Sequence, residues 1–206
     1  MKRLIIFIFF IVLGTFLSYS QNTKFSSEFT FGNRSIAYQH YVGYDLSKKW
    51  SLNNITLYDT EYNSDSNNIF FIRNMLSYSL NKSFKTNIAF GVKNPGAFTT
   101  ATVQYVLSTK QFKLNYNVGT TYQNGFTLEQ SLILNYSKHI NASNEFFIRL
   151  FTVVNTNLKY LNRSIQQLRI GIKKEDLLVG LAINLDQFKK AKKTLENFGI
   201  AFKYNF

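Results

Sequence analysis

Cysteine is absent from the 206-residue chain, proline occurs once, and only 17% of the residues are charged. The lack of cysteine excludes a disulfide framework, a thiolate metal site and a lipid anchor on an N-terminal cysteine. One proline and ten glycines exclude collagen-like and proline-rich disordered chains. After residue 20 the sequence has no apolar run typical of a transmembrane helix, and helical periodicity is nearly absent. These absences leave a folded chain built mainly from strands.

The residues present in excess are aromatic and basic. The chain contains 21 Phe and 13 Tyr, which favour strands over helices, and its formal net charge is +13. Such a charge indicates anionic surroundings or ligands, for example phosphate-bearing lipids, acidic solutes or nucleic acid.

The first twenty residues indicate export. Lys2 and Arg3 precede an apolar run from Leu4 to Leu17, which is shorter than the roughly 20 residues that a membrane-spanning helix needs. Ser18 and Ser20 then stand at the spacing of a signal-peptidase site. We therefore expect a secretory signal peptide over residues 1–20, cleaved between Ser20 and Gln21, and we expect no nucleic-acid partner.

Residues 21–206 are predicted to form one domain of short alternating strands. The clearest example is FKLNYNVGTTY, in which Phe112, Leu114, Tyr116 and Val118 alternate with polar or small residues. Twelve such runs are predicted, with ten as the alternative count: 25–32, 36–46, 50–59, 69–80, 84–93, 99–108, 112–121, 127–137, 145–155, 165–173, 177–186 and 197–206. Runs 36–46, 50–59 and 69–80 alternate less cleanly, and a bulge there would reverse the faces.

The connections alternate in character along the chain. Short lysine-containing turns such as LNKSF (80–84) are predicted on one rim, and longer, more variable loops such as YDTEYNSDSNN (58–68) on the other. An even number of strands places both termini on the short-turn rim. This pattern is typical of an up-and-down barrel.

The apolar face of these strands is predicted to meet lipid. The opposite face is rich in Asn, Gly, Ser, Thr and Ala rather than in the charges of a soluble surface, which disfavours the alternative of a secreted β-sandwich. Strands of about ten residues suit a tilted membrane crossing, and only a closed sheet satisfies every backbone group in lipid. Aromatic residues near strand ends are predicted to form girdles at the two interfaces: Trp50, Tyr58, Phe84, Phe98, Phe112, Tyr122, Tyr136, Phe146 and Phe206. The fold class is therefore an all-β, transmembrane, antiparallel barrel.

The final strand, FGIAFKYNF, resembles the terminal strand of bacterial outer-membrane β-barrel proteins, with alternating aromatics and Phe last. The resemblance implies an outer-membrane location and recognition of Phe202, Tyr204 and Phe206 by the barrel-assembly machinery. It implies contact with outer-membrane lipid and lipopolysaccharide, and it leaves room for other outer-membrane proteins as partners. It identifies no subfamily.

Catalysis has little support in the sequence. Outer-membrane barrels include lipid-modifying enzymes that use His with Ser or acidic partners, but His40 has no serine two residues away, and His139 falls in a turn. No phosphate-binding loop or nucleophile elbow is present, and two distant histidines are a weak basis for a metal site. We expect no enzymatic activity and no cofactor.

The charges on the polar face are the candidate functional residues. These charged positions alternate with the apolar positions along each strand, so they are predicted to point into an enclosed lumen. The predicted lumen has seven positive and four negative side chains: Arg73, Lys85, Lys113, Arg149, Arg169, Lys173, Lys203, Glu28, Asp45, Glu129 and Asp186. An excess of fixed positive charge in a narrow water path favours anions. The alternative is that these residues pair with one another and fill the interior.

A basic segment, DQFKKAKKTLEN (186–197), spaces Phe188, Ala191 and Leu195 as one face of a short amphipathic helix. In an extracellular loop its lysines would face lipopolysaccharide phosphates.

The sequence as a whole predicts a small passive pore with a weakly anion-preferring lumen. The alternative is a non-conducting structural or accessory barrel of an outer-membrane complex.

Overall fold

The computed structural model describes residues 23–94, 96–157, 159–188 and 192–206. The predicted signal peptide and its cleavage site at Ser20 and Gln21 lie outside these residues. Within them, one turn of 3-10 helix spans Asp65–Asn67. No helix in the described residues is long and apolar enough to cross a membrane.

Twelve strands make up almost all of the described chain. They are β1 (Thr23–Gly32), β2 (Ser35–Asp45), β3 (Trp50–Glu61), β4 (Ile69–Ser79), β5 (Phe84–Lys93), β6 (Gly96–Ser108), β7 (Phe112–Tyr122), β8 (Phe126–His139), β9 (Asn144–Thr156), β10 (Leu161–Lys174), β11 (Leu177–Phe188) and β12 (Lys193–Asn205). Each overlaps one of the twelve predicted runs, so the count of twelve is confirmed and the alternative of ten is wrong.

The strands close into a single antiparallel barrel. Each strand pairs with its neighbours in sequence, and β1 pairs with β12 from Ser26–Asn205 to Gly32–Gly199. Closure leaves no sheet edge with unpaired backbone groups, which is the condition for strands to lie in hydrocarbon. The predicted fold class, an all-β up-and-down barrel, is confirmed.

The two rims differ less than the sequence predicts. We call the rim that carries the start of β1 and the end of β12 the terminal rim, and the opposite one the loop rim. Every connection on the loop rim has four residues or fewer except 62–68, which has seven. The other predicted long loops are shorter because several strands extend past the alternating runs; β10 begins at Leu161 and β12 at Lys193.

The same extension excludes the predicted amphipathic helix over 188–195. Phe188 ends β11 and Lys193 begins β12, which leaves only four residues for the connection. Lys189 and Lys190, two of the lysines predicted to face lipopolysaccharide, lie outside the described residues. Leu195 points into the barrel, where it borders a cavity.

The outer face of the barrel is an apolar band between aromatic pairs. Ile88, Phe90 and Leu181 expose more than three-fifths of their surface. Trp50 packs on Tyr78 at the terminal rim, with 4.7 Å between ring centroids, and Phe84 packs on Tyr105 at 5.4 Å. Tyr58–Phe70 and Tyr122–Phe126 form equivalent pairs at the loop rim, at 5.3 and 5.0 Å. Such girdles mark the two interfaces of a membrane barrel.

One predicted girdle residue faces the other way. Phe98 is only 3% exposed and stacks on Phe71 inside the barrel at 5.5 Å. Phe98 comes just before the predicted run 99–108, so the alternation of that run did not include it. β6 begins at Gly96, and Phe98 shares the inward parity of Thr100 and Thr102.

A charged lumen as the candidate functional site

The predicted lumen residues lie mainly along the walls of two polar cavities. A terminal-rim cavity of about 360 Å³ is bordered by seven of them: Arg73, Lys85, Arg149, Lys203, Glu28, Asp45 and Glu129. A loop-rim cavity of about 340 Å³ is bordered by Asp186. The alternation that puts apolar residues outward on each strand puts these side chains inward.

Three further predicted residues occupy other positions. Arg169 is 2% exposed and lies within the inner wall, bonded to Glu28 on β1 and to Asn184 on β11. Lys173 lies near the terminal rim, where its Nζ atom is 3.8 Å from Glu145 Oε2. Lys113 shares the inward parity of β7 but is exposed at the end of the strand.

Glu28 is the centre of the most buried ion cluster. Arg169 Nε donates to Glu28 Oε1 at 2.9 Å, and Arg149 Nη1 lies 3.5 Å from Glu28 Oε2. The Arg169 guanidinium also donates to Asn184 Oδ1 at 2.7 Å and to Thr30 Oγ1 at 3.3 Å. The Glu28 carboxylate therefore joins β1 to β9 and β10, and the Arg169 guanidinium extends the cluster to β11; charge-assisted hydrogen bonds of this kind are strong.

A second ion pair connects strands that are far apart in the sheet. Arg73 Nη1 on β4 donates to Glu129 Oε1 on β8 at 3.2 Å, and Glu129 Oε2 accepts from Thr121 Oγ1 at 2.7 Å. Because three strands separate β4 from β8, the Arg73 side chain reaches across the interior rather than along the wall.

This ion pair borders a small, largely apolar section between the two polar cavities. The section is a cavity of about 100 Å³ whose wall includes Arg73, Glu129, Phe71, Phe151 and Ile165. It shares Arg73 and Glu129 with the terminal-rim cavity and Lys93 and Arg163 with the loop-rim cavity. We call this section the constriction.

The constriction explains why the early strands alternate poorly. Ile55 and Leu57 on β3 and Ile69 and Phe71 on β4 point inward. The pairing of β2, β3 and β4 runs without a register shift, so no bulge is present there. The pattern is weak because apolar residues occupy the inward positions at mid-height.

Three lysines on the inner wall have no acidic partner. Lys85 and Lys203 border the terminal-rim cavity, and Lys93 borders the constriction and the loop-rim cavity. Among the described residues no carboxylate lies within 4.0 Å of their Nζ atoms, whereas Glu28, Glu129 and Asp186 are all held by arginines. Lys93 Nζ instead lies 4.8 Å from the centre of the Phe98 ring. The inner wall therefore carries uncompensated positive charge.

Sequence reasoning missed several charges near the loop rim. Arg34 pairs with Asp59 at 3.0 Å and with Glu61, and Arg163 binds Asp186 with two hydrogen bonds of 2.9 and 2.6 Å. Arg163 lay outside the predicted run 165–173, and Arg34 lies between strands. The signal for Asp59 was its inward parity in run 50–59.

The two histidines lie on different strands, β2 and β8, and His40 borders the terminal-rim cavity. His139, expected in a turn, is the last residue of β8, where its exposed Nδ1 lies 3.4 Å from Glu145 Oε1, and His40 contacts Tyr38 and Asn54. No group of three or more potential metal-ligating His, Cys, Asp or Glu side chains occurs in the described part of the chain.

Phe202 and Tyr204, two residues of the predicted assembly signal, face outward on β12 with 42% and 43% exposure. Phe206 follows the strand, and its ring packs on Phe25 at 5.0 Å and on Tyr204 at 4.7 Å. The three aromatic side chains are thus accessible from outside the barrel. Their recognition by an assembly machinery stays a prediction.

Solved structures of porins share this fold. A structure described as KdgM porin aligns with a TM-score of 0.57 at 7% identity, covering 89% of this chain and 99% of that one. The KdgM porin in complex with disordered oligogalacturonate gives 0.56 at 7% identity with the same coverage, 89% and 99%. A NanC porin structure gives 0.53 at 9% identity, covering 88% and 98%. These alignments show that the chain has the fold of bacterial outer-membrane β-barrel porins. No protein-family model and no curated protein matches the sequence.

Proposed function

We propose that this chain is a small passive pore of the bacterial outer membrane with a preference for anions. The observation that carries the proposal is the set of lysines on the inner wall without acidic partners, Lys85, Lys93 and Lys203. Fixed positive charge beside a narrow water path concentrates anions and repels cations.

The outer surface supports the membrane location. Its apolar band lies between two sets of aromatic pairs, the lipid-facing arrangement of an outer-membrane barrel. The predicted export signal and the aromatic C-terminal strand are consistent with the same compartment.

The cavities define the permeation path and its size limit. A solute enters either polar cavity, of about 360 and 340 Å³, and must pass the constriction of about 100 Å³. The Arg73–Glu129 ion pair and the aromatic wall set the narrowest section, so the path suits inorganic ions and very small solutes. No step requires bond chemistry, and the flux follows the concentration gradient.

Reversal-potential measurements in a planar bilayer test the proposal. Under a salt gradient, the wild-type protein should give a reversal potential of the sign that indicates anion preference. The double variant Lys85→Glu, Lys203→Glu lowers the charge at the terminal-rim cavity by four and should abolish or invert that preference.

Lys174→Glu provides a matched control. Lys174 ends β10 on the outward parity and is exposed, so its charge reversal should leave the reversal potential near the wild-type value. Equal shifts in the control and the lumen variants would show that the inner wall does not set the selectivity.

The constriction also favours a second function, a non-conducting accessory barrel. Arg73 crosses the interior to Glu129, and Phe71 and Phe151 surround the narrow section. Absence of conductance steps from folded protein, both for wild type and for Arg73→Ala, would favour this function over the pore.

A further inference from the structure

Polar side chains interrupt the apolar outer face at mid-height on the first four strands. Ser27, Asn54, Thr56 and Asn74 face outward, because the residues that alternate with them border the terminal-rim cavity or the constriction. His40 has the same outward parity on β2, although the terminal-rim cavity also reaches it, and Thr56 is covered by its neighbours to 4% exposure. Asn74 lies five residues from both ends of β4, and His40 five from both ends of β2. We call these five residues, together with Tyr38, the outer polar cluster.

Hydrogen bonds join five of the six cluster residues, Tyr38, His40, Asn54, Thr56 and Asn74. Asn54 Oδ1 accepts from Thr56 Oγ1 at 3.1 Å and lies 3.2 Å from His40 Nε2, so Nε2 carries the imidazole proton. The other ring nitrogen, Nδ1, then accepts from the Tyr38 hydroxyl at 3.2 Å. Asn54 Nδ2 donates to Asn74 Oδ1 at 2.9 Å.

The series of hydrogen bonds ends at the side-chain amide of Asn74, which has a donor without an acceptor in the described part of the chain. Asn74 Nδ2 forms no hydrogen bond with any described residue, and Asn74 is only partly buried. Hydrocarbon offers it no acceptor, and the ester and phosphate oxygens of lipids lie nearer the rims than the middle of β4. An amide in this position is therefore incompletely bonded in an isolated barrel.

We propose that the outer polar cluster is the contact surface of a symmetric dimer of this chain. The cluster has no Asp, Glu, Lys or Arg, so its partner must offer neutral donors and acceptors at the same depth. A carboxamide is self-complementary: across a two-fold axis, each Asn74 can donate to the other and accept from it. Polar side chains of this kind join membrane-spanning segments through hydrogen bonds.

The residues around the cluster fit the same contact. Ile72 and Leu76 flank Asn74 on the outer face of β4, and Ile88 and Phe90 on β5 are 68% and 62% exposed. A second barrel seated here would cover these apolar side chains while its own cluster supplies the missing acceptor. The pore within each barrel does not depend on this contact.

Site-directed cross-linking tests the dimer, and the absence of native cysteine makes single-cysteine variants clean. Leu76→Cys places a thiol two residues from Asn74. Ile172→Cys is the matched control: it is on β10, six strands away around the barrel, close to the same rim, and 42% exposed against 38% for Leu76. Both variants are reconstituted in phospholipid vesicles at low protein-to-lipid ratio and treated with a short bis-maleimide.

The dimer predicts a cross-linked band for Leu76→Cys and only background for Ile172→Cys. Adding Asn74→Leu to Leu76→Cys should weaken dimerisation about tenfold, equivalent to loss of about 1.4 kcal/mol from an amide pair. Leu is favourable on a lipid-facing wall, and heat-dependent gel mobility verifies that this variant is folded.

Equal cross-linking of the two single-cysteine variants would overturn the proposal. So would dimerisation that Asn74→Leu leaves unchanged. Cross-linking of Leu76→Cys to a different protein in native membranes, with the purified chain monomeric, would assign the surface to another partner. Because conductance is measured separately, these outcomes do not bear on the proposed pore.

Discussion

Replacing Glu28 with Gln should destabilise the barrel strongly. The change removes one negative charge from a site shared by Arg169 and Arg149, at 2.9 and 3.5 Å. The Arg169 side chain is 3% exposed, so water cannot replace the lost partner. Breaking a buried ion pair by removing one member typically costs about 3–5 kcal/mol, and we expect the free energy of unfolding to fall by that amount.

Asp45→Asn gives the matched control for the same chemical change. Asp45 pairs with Lys24 at 3.3 Å, but the two side chains are 51% and 74% exposed. Exposed pairs contribute about 0–1 kcal/mol, so this variant should unfold almost as wild type does.

Unfolding can be followed by denaturant titration in lipid vesicles through the fluorescence of Trp50, the single tryptophan. Trp50 lies at the start of β3 against Tyr78, and its environment changes when the barrel unfolds. A loss for Glu28→Gln no larger than that for Asp45→Asn would refute the conclusion that Glu28 holds β1, β9 and β10 together.

Three further substitutions test other parts of the structure. Asn197→Ala removes a buried side chain that accepts from the backbone N–H groups of Arg34 and Ser35 at 2.9 and 3.2 Å, and should lower the free energy of unfolding by about 2–3 kcal/mol in the same titration. Asn141→Ala, its control at an exposed turn, should lower it by less than about 1 kcal/mol. Arg73→Ala removes the side chain that crosses the interior and should raise single-channel conductance severalfold, and an unchanged conductance would place the narrowest section elsewhere. Gly180→Val should lower the folded fraction on unheated gels, because a Cβ at this position would lie 2.4 Å from the backbone oxygen of Ile170 on β10. Gly96→Val should fold normally, because a Cβ there would have no neighbouring atom of the described residues within 4 Å.

The fold was predictable because alternation and turn residues are local properties. In β7 every second residue from Phe112 to Val118 is apolar, and both the strand and its outward face follow directly from the sequence. The early strands were harder, since Ile55 points inward and Asn74 outward. Local pattern cannot distinguish such exchanges from a bulge until the register with neighbouring strands is known.

Partners within the lumen could not be predicted for a different reason. Glu28 and Arg169 are on strands β1 and β10, which do not pair with each other. Their distance depends on the curvature of the closed wall and on which rotamers fit inside it. Parity gives the set of charges that face inward, and it gives no information about which of them meet.

The closing of β1 on β12 has a consequence for mechanical strength. The other eleven strand pairings join segments adjacent in sequence, so each is held by its own hairpin as well as by hydrogen bonds. The β1–β12 seam has no such covalent link, and its register covers Ser26 to Gly32, whereas β10–β11 pairs from Arg163 to Lys174. Under lateral tension the barrel should open between β1 and β12 before any other strand pair separates. During folding, the β1–β12 pairing should form last.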